Sequence, residues 1–177
     1  LQSLKESEDE IDAKVCKCNG AAECKKALLL MKAKRLPEDC KIILIGLNEK
    51  QIRELPEEII GITRTENAEE LAGYYSMADV FVNATLEDNF PTTNLEALSC
   101  GTPVITFETG GSPESLDKTC GRLVRKGDAE ALQQAILVER EHPMRKEDCL
   151  TRAAQYEKND RFMEYAALYH RLWGQGE

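Results

Sequence analysis

"LEDNFPTTNLEALSCGTPVITFETGGSPESL", residues 86–116, decides the fold because it reads as two successive strand-to-helix junctions. It is entered from "DVFVNA", residues 79–84, an apolar run with the composition of a strand buried on both faces. Residues 92–100 carry a helical pattern and stop at Gly101, a residue suited to the position just past a helix end. Residues 103–107, "PVITF", are a second buried-strand run. Thr109-Gly110-Gly111 then supplies a turn with permissive dihedrals. Ser112-Pro113-Glu114 has the order of an N-cap, a proline at the first helical position and an acidic first turn, so another helix is expected there.

Such junctions bear on function because ligands of doubly wound sheets sit outside the carboxyl ends of the strands. A helix starting near Thr92 leaves the N–H groups of Thr92, Thr93 and Asn94 without intrahelical partners at the positive end of the helix dipole. That is a ready site for a phosphate. Asp88 lies just before it and Glu96 one turn into the helix, so two carboxylates flank such a ligand. A carboxylate beside a helix N-terminus is also a plain capping acid. The residues by themselves leave both readings open.

Outward from this span the alternation continues. "KIILIGL" (41–47) and "EIIGIT" (58–63) read as strands, and "EKQIREL" (49–55) as a short amphipathic helix between them. Thr65 stands where it can N-cap a helix over residues 66–78. "GRLV" (121–124) is a last short strand, and Asp128 caps a helix over residues 128–139. Strands alternating with helices predict an α/β fold, a single Rossmann-like doubly wound parallel sheet with extra C-terminal helices. In "NDRFMEYAALYHRLW" (159–173), Phe162, Tyr165, Tyr169 and Trp173 share one face, which reads as core; a surface that docks a partner domain is the sharper reading. Residues 1–34 form an atypical N-terminal segment of helical character, with a capping-box pattern at Ser7–Glu10 and a helix over 21–35; residues 35–177 form the domain.

The bulk properties bound the function. The chain has 177 residues, of which 42% are hydrophobic, enough for one domain with a real core. The net charge of −9 argues against a nucleic-acid partner, whose affinity comes largely from neutralised phosphates. No apolar run approaches the about 20 residues that span a bilayer. The N-terminus is acidic and lacks an apolar signal core, and the absence of an initiator Met is the mark expected of a fragment. Seven scattered cysteines suit a reducing, cytoplasmic setting. Cys16, Cys18 and Cys24 offer three thiolates, but no fourth zinc ligand follows at familiar spacing, so free thiols are the expectation. With His142 and His170 as the only histidines, a positioned base for serine or cysteine hydrolysis is not in view.

The segment "ADVFVNATLEDNFPTTNLEALSCGTPVITFETGGSPE" closely resembles the donor-binding domain of retaining GT-B-fold glycosyltransferases, family 4 group. It shares the acid at Asp88, the Phe90-Pro91 pair, seven residues between Asp88 and Glu96, "ALSCGTPV", and the Gly110-Gly111-Ser112-Pro113-Glu114 loop. The resemblance covers roughly residues 35–173 and is most specific over 66–138. It implies that Asp88 is the catalytic candidate, hydrogen-bonding hydroxyls of the donor sugar. Asn89, Phe90, Pro91, Thr92, Thr93 and Asn94 would form the donor-binding loop, with N–H groups near Phe90 to Thr93 holding the sugar and diphosphate. Glu96 would bind the ribose hydroxyls, Thr63 and Arg64 would lie near the base, and Gly110, Gly111 and Glu114 would line the cleft between domains. Carboxylate acceptors suit hydroxyls and a helix N-terminus suits a diphosphate. No Asp-x-Asp motif occurs, so neither a cofactor nor a metal is expected, only the nucleotide-sugar donor as substrate.

The sequence departs from the family in places. Asp88 stands for the commoner Glu and Asn89 for Gly. No convincing first strand precedes residue 41, and the family's Arg…Lys-Gly loop is missing, with Lys25 and Lys26 the nearest basic residues. The resemblance also implies an N-terminal acceptor domain, expected to lie outside this chain. The full enzyme is expected to be cytoplasmic, with peripheral membrane contact through that missing domain, and to serve cell-surface polysaccharide or glycoconjugate synthesis. This chain alone is not expected to transfer sugar. The alternative is a truncated or non-catalytic nucleotide-binding or interaction module. A sugar epimerase of the same fold fits less well, because its cleft uses His residues that the motif lacks.

Overall fold

The computed structural model of the protein describes residues 13–17, 36–37 and 39–173. The capping box at Ser7–Glu10, the helix over 21–35, Cys18, Cys24, Lys25 and Lys26 lie outside the described residues.

Six strands alternate with helices. They are β1 (Ala13–Lys17), β2 (Lys41–Ile45), β3 (Ile59–Ile62), β4 (Val80–Asn83), β5 (Val104–Phe107) and β6 (Gly121–Val124). The helices are α1 (Glu49–Arg53), α2 (Ala68–Met77), α3 (Thr92–Ser99), α4 (Ala129–Glu141), α5 (Lys146–Ala154) and α6 (Lys158–Trp173). All pairings are parallel, in the order β3-β2-β1-β4-β5-β6. The chain winds outward from β1 in one direction and returns to its other side at β4. The topological switch therefore lies between β1 and β4, the place where doubly wound sheets bind ligands.

The strand β1 corrects the sequence reading, which found none before residue 41 and took this segment as helical. It is central, paired with β2 from Ala13↔Lys41 to Lys17↔Ile45 and with β4 at Lys14↔Val80 and Val15↔Phe81. Central parallel strands normally read as unbroken apolar runs. "AKVCK" carries two lysines in five residues, which hides the signal.

Side chains of the middle strands alternate between two cores, as a period of two requires. Ile42, Leu44, Val80, Val82, Ile105 and Phe107 face one side and meet Leu132 and Ile136 of α4. Phe81 and Val104 face the other, against Tyr75 of α2, Ala97 and Leu98 of α3, and Cys149 of α5. Helices thus cover both faces.

Local chemistry sets the helix starts. Asp128 caps α4 by accepting from the Ala131 N–H at 2.9 Å, as the sequence predicts. Helix α2 is capped by Asn67, which accepts from the Glu70 N–H at 2.8 Å, and not by Thr65. The Asn67 carboxamide sits one residue before the helix and Thr65 three, out of reach of the N3 amide. After the Gly-Gly turn the chain makes only a 3₁₀ turn over Ser112–Ser115, started from Gly111, where a helix was expected. Leu116, in extended conformation, then turns inward to the core and ends it.

Helix α6 contradicts the core reading. Tyr165 and Tyr169 are more than half exposed, and Trp173 is 83% exposed. An apolar stripe shows which face would be buried, not whether anything is there to bury it.

Candidate functional site

At the carboxyl end of β4 the chain leaves Asn83 and reaches α3 through residues 84–91. Asn83 and Asn94 bracket this loop. The Asn83 carboxamide donates to Asn94 Oδ1 at 2.9 Å, and Asn94 Nδ2 donates to Ser115 Oγ at 2.9 Å. Asn94 is fully buried, so its side chain is a rivet between strand, helix and turn. Its N–H, which the sequence reading left unpartnered, donates to Pro91 O at 3.0 Å. The N-cap position is Pro91, whose side chain gives no capping bond, so the start of α3 is open to an external acceptor.

Asp88 is half-buried just before this helix start. Its Oδ1 accepts the Phe90 N–H at 3.0 Å, a local turn that fixes the carboxylate and occupies one of the amides expected to hold the donor. Asn89 is exposed, Phe90 half-buried, Pro91 and Thr93 buried, and Thr92 exposed.

The second junction is pressed against the first, backbone to backbone. The Gly111 N–H donates to Asp88 O at 3.2 Å, and Thr109 Oγ1 donates to Leu86 O at 3.0 Å. A Cβ at Gly110 would stand 1.8 Å from Asp88 O, and one at Gly111 would stand 1.9 Å from Asn89 O. Gly110 also has φ of +50°, where side-chain-bearing residues are strained. The two glycines are therefore required for the contact itself. Ser112, next in line, is fully buried, and its Oγ has no hydrogen-bond partner among the described residues.

Glu114 is exposed on the 3₁₀ turn, and its carbonyl is gripped from the C-terminal helices. Arg152 donates to Glu114 O at 2.6 Å and to Ser115 O at 3.2 Å, and Tyr156 Oη donates to Glu114 O at 2.5 Å. The Tyr156 ring also packs against Phe90, with centroids 5.7 Å apart. Sequence reading missed Arg152 and Tyr156. Both lie beyond the motif, and nothing in local spacing signals a partner about 40 residues upstream.

Glu96 projects from α3, where its Oε2 accepts from the Tyr75 hydroxyl at 3.0 Å. Thr63 and Arg64 are exposed beyond β3, at the same sheet edge but three strands from β4, about 14 Å away at ordinary strand spacing. Asp88, Gly110, Gly111 and Glu114 thus converge with the start of α3, whereas Thr63 and Arg64 stand apart. Arg125 is exposed beyond β6 on the opposite side of the sheet.

No group of three or more His, Cys, Asp or Glu side chains gathers as a metal site would among the described residues. Burial pushes the thiols of Cys120 and Cys149 up to about 11 and about 12, so both are packing residues and not nucleophiles. No helix among the described residues is long and apolar enough to cross a membrane.

The sequence matches the family described as "Glycosyl transferases group 1" over residues 18–138. It is 37% identical over 78 residues to the D-inositol 3-phosphate glycosyltransferase of Corynebacterium jeikeium, covering 41% of this chain and 19% of that protein. It is also 37% identical over 87 residues to the GDP-mannose-dependent alpha-(1-6)-phosphatidylinositol monomannoside mannosyltransferase of Mycolicibacterium smegmatis, covering 45% and 23%. Among solved structures, the fold matches sucrose-phosphate synthase from Thermosynechococcus elongatus with a TM-score of 0.80 at 22% identity, over 99% of this chain and 48% of that one. The chain therefore spans about a fifth of the length of these curated relatives and about half of that structure. A Rossmann-like sheet with an open helix start, an acid before it and a glycine pair welded to it is what the matching segment builds, and the chain belongs to the glycosyl transferases group 1 family, as a GT-B C-terminal domain.

Proposed function

We propose that this chain is the donor-binding half of a retaining glycosyltransferase that uses a nucleotide sugar. The observation that carries the reading is the contact between the Asp88 loop and the Gly110-Gly111 loop over the uncapped start of α3. This arrangement offers fixed dipoles to a diphosphate and a fixed carboxylate to hydroxyls beside it. In the reaction, the bond from the sugar's anomeric carbon to the diphosphate oxygen breaks. The acceptor hydroxyl oxygen then bonds to that carbon on the face the diphosphate leaves, and its proton passes to the departing diphosphate oxygen. Charge growing on the leaving diphosphate is met by the first N–H groups of α3 and by the helix dipole, preorganised and at no cost of reorientation. Asp88 orients the sugar through its hydroxyls, Glu96 takes the ribose, and Thr63 and Arg64 lie toward the base. No cofactor or metal enters these steps.

Acceptor binding belongs to a further domain. The exposed aromatic face of α6 is its seat, since none of the described residues buries it. A cytoplasmic enzyme of cell-surface polysaccharide or glycoconjugate synthesis, in peripheral contact with the membrane through that domain, fits this reading. The acidic balance of the chain leaves nucleic acid out.

One observation favours a second reading, a nucleotide-binding module without transferase activity. In the sequence, the residues after β1 are Cys18-Asn19-Gly20, with no basic residue among them, where the family carries its Arg…Lys-Gly loop.

Calorimetric titration with UDP, GDP and ADP, beside an Asp88→Ala, Glu96→Ala double variant, tests the proposal. Binding of one nucleotide, lost in the variant, is expected. A folded chain that binds none of the three would overturn it.

A further inference from the structure

Tyr75 sits in the core below α3 and is 1% exposed. Its ring stands edge-on to Phe81, with centroids 5.3 Å apart and planes at 86°. Its carbonyl accepts from Thr102 Oγ1 at 2.6 Å and from the Ala78 N–H at 3.0 Å. Ring and backbone are thus held from both ends, and the hydroxyl emerges at one fixed point. There it donates to Glu96 Oε2 at 3.0 Å.

A buried tyrosine hydroxyl needs a partner, and a main-chain carbonyl would satisfy it. Here it meets a half-exposed carboxylate on the helix that opens the candidate site. We propose that Tyr75 is a positioning residue for Glu96, locking its carboxylate for recognition of the two ribose hydroxyls of a nucleoside diphosphate. The proposal rests on the donor-site reading given above. A free Glu side chain has several rotamers and must give them up on binding. A carboxylate already pinned at one oxygen gives up less, which is the benefit of preorganisation. The bond from Tyr75 takes a single lone-pair position of Glu96 Oε2. Burial, with the Glu96 charge beside it, pushes the Tyr75 hydroxyl well above its ordinary value, so it stays protonated and remains a donor.

The test titrates UDP, GDP and ADP, and the three 2′-deoxy counterparts, into wild type, Tyr75→Phe, Glu96→Ala and the double variant, with thermal unfolding of each. For the nucleotide that binds, wild type is expected to prefer the ribose form by about tenfold, the scale of a hydrogen bond to a charged group. Tyr75→Phe is expected to reduce that preference to about threefold or less while leaving affinity for the deoxy form within about twofold. In the Glu96→Ala background Tyr75→Phe changes nothing further, because the two act as one unit. An unchanged ribose preference in a folded Tyr75→Phe protein would overturn the inference, and so would equal loss for both forms, the signature of a merely structural tyrosine. Wild type that binds but ignores the 2′-hydroxyl overturns it while the donor site stands. Wild type that binds no nucleotide brings down both.

Discussion

The loop junction over residues 86–115 and helix α6 lie close together, joined by Tyr156, yet they are built on opposite terms. At the junction the chain engages most of its own polar groups, leaving the start of α3 and Ser112 Oγ open. Main-chain and side-chain groups of Asp88, Asn94, Thr109, Glu114 and Ser115 are engaged by other parts of the same domain. On α6 the chain supplies aromatic rings and leaves them open, with Phe162, Tyr165 and Tyr169 lining a shallow groove beside Tyr156. A region held mainly by its own contacts keeps its shape with little help. A region with an uncovered apolar face gains its stability only from what docks there.

The largest effect should come from breaking the junction at its tightest point. Gly110→Ala places a methyl group 1.8 Å from Asp88 O at a φ of +50°, against backbone that cannot swing aside. A loss of about 3 kcal/mol is expected in urea unfolding, with the nucleotide site lost as well. Tyr156→Phe is gentler. It removes the bond to Glu114 O and the one accepted from Arg152, and leaves the ring against Phe90, so a loss of about 1 kcal/mol is expected. On α6 the contrast should be plain. Phe162→Ala with Trp173→Ala should shift the stability of this chain by less than about 0.5 kcal/mol each, because neither side chain is buried. The same pair should weaken association with an added N-terminal domain, measurable by calorimetry.

This contrast also explains what was legible in the sequence. The strands at 41–45, 59–62, 80–83 and 104–107 announce themselves by apolar runs, and the convergence of Asp88 with Gly110 and Gly111 is carried by a motif contiguous in the chain. The strand β1 was not legible, because its central place is decided by pairing with β2 and β4 and not by its own composition. Arg152 and Tyr156 were not legible either, since they act on a carbonyl about 40 residues away and a main-chain acceptor has no sequence signature. Tyr75 falls within the helix expected over residues 66–78, which is right for its place and silent on its hydroxyl. The face of α6 was legible as a face, and its exposure was not.

The smallest expected effect tests whether the junction's anchoring extends past the 3₁₀ turn. Asp117 follows that turn, and its carboxyl is held below the ordinary carboxylate value of 3.8, mainly by the Thr119 hydroxyl at 2.6 Å, then by the Thr119 N–H and more weakly by the charge of Arg152. Burial opposes the shift but does not cancel it. A group whose folded value is depressed adds stability at pH above its unfolded value, and that stability is lost as pH falls through the folded value. Asp117→Asn should therefore cost under about 0.5 kcal/mol at neutral pH, since the group is largely exposed, and should cost nothing once the pH is well below 3.8. Urea unfolding of both proteins at several pH values reads this directly. A gap that closes on acidification ties Asp117 to the anchored region through its charge, whereas a gap independent of pH assigns its role to shape alone. Replacing Phe162 or Trp173 on helix α6 removes no ionisable group and should show no such dependence.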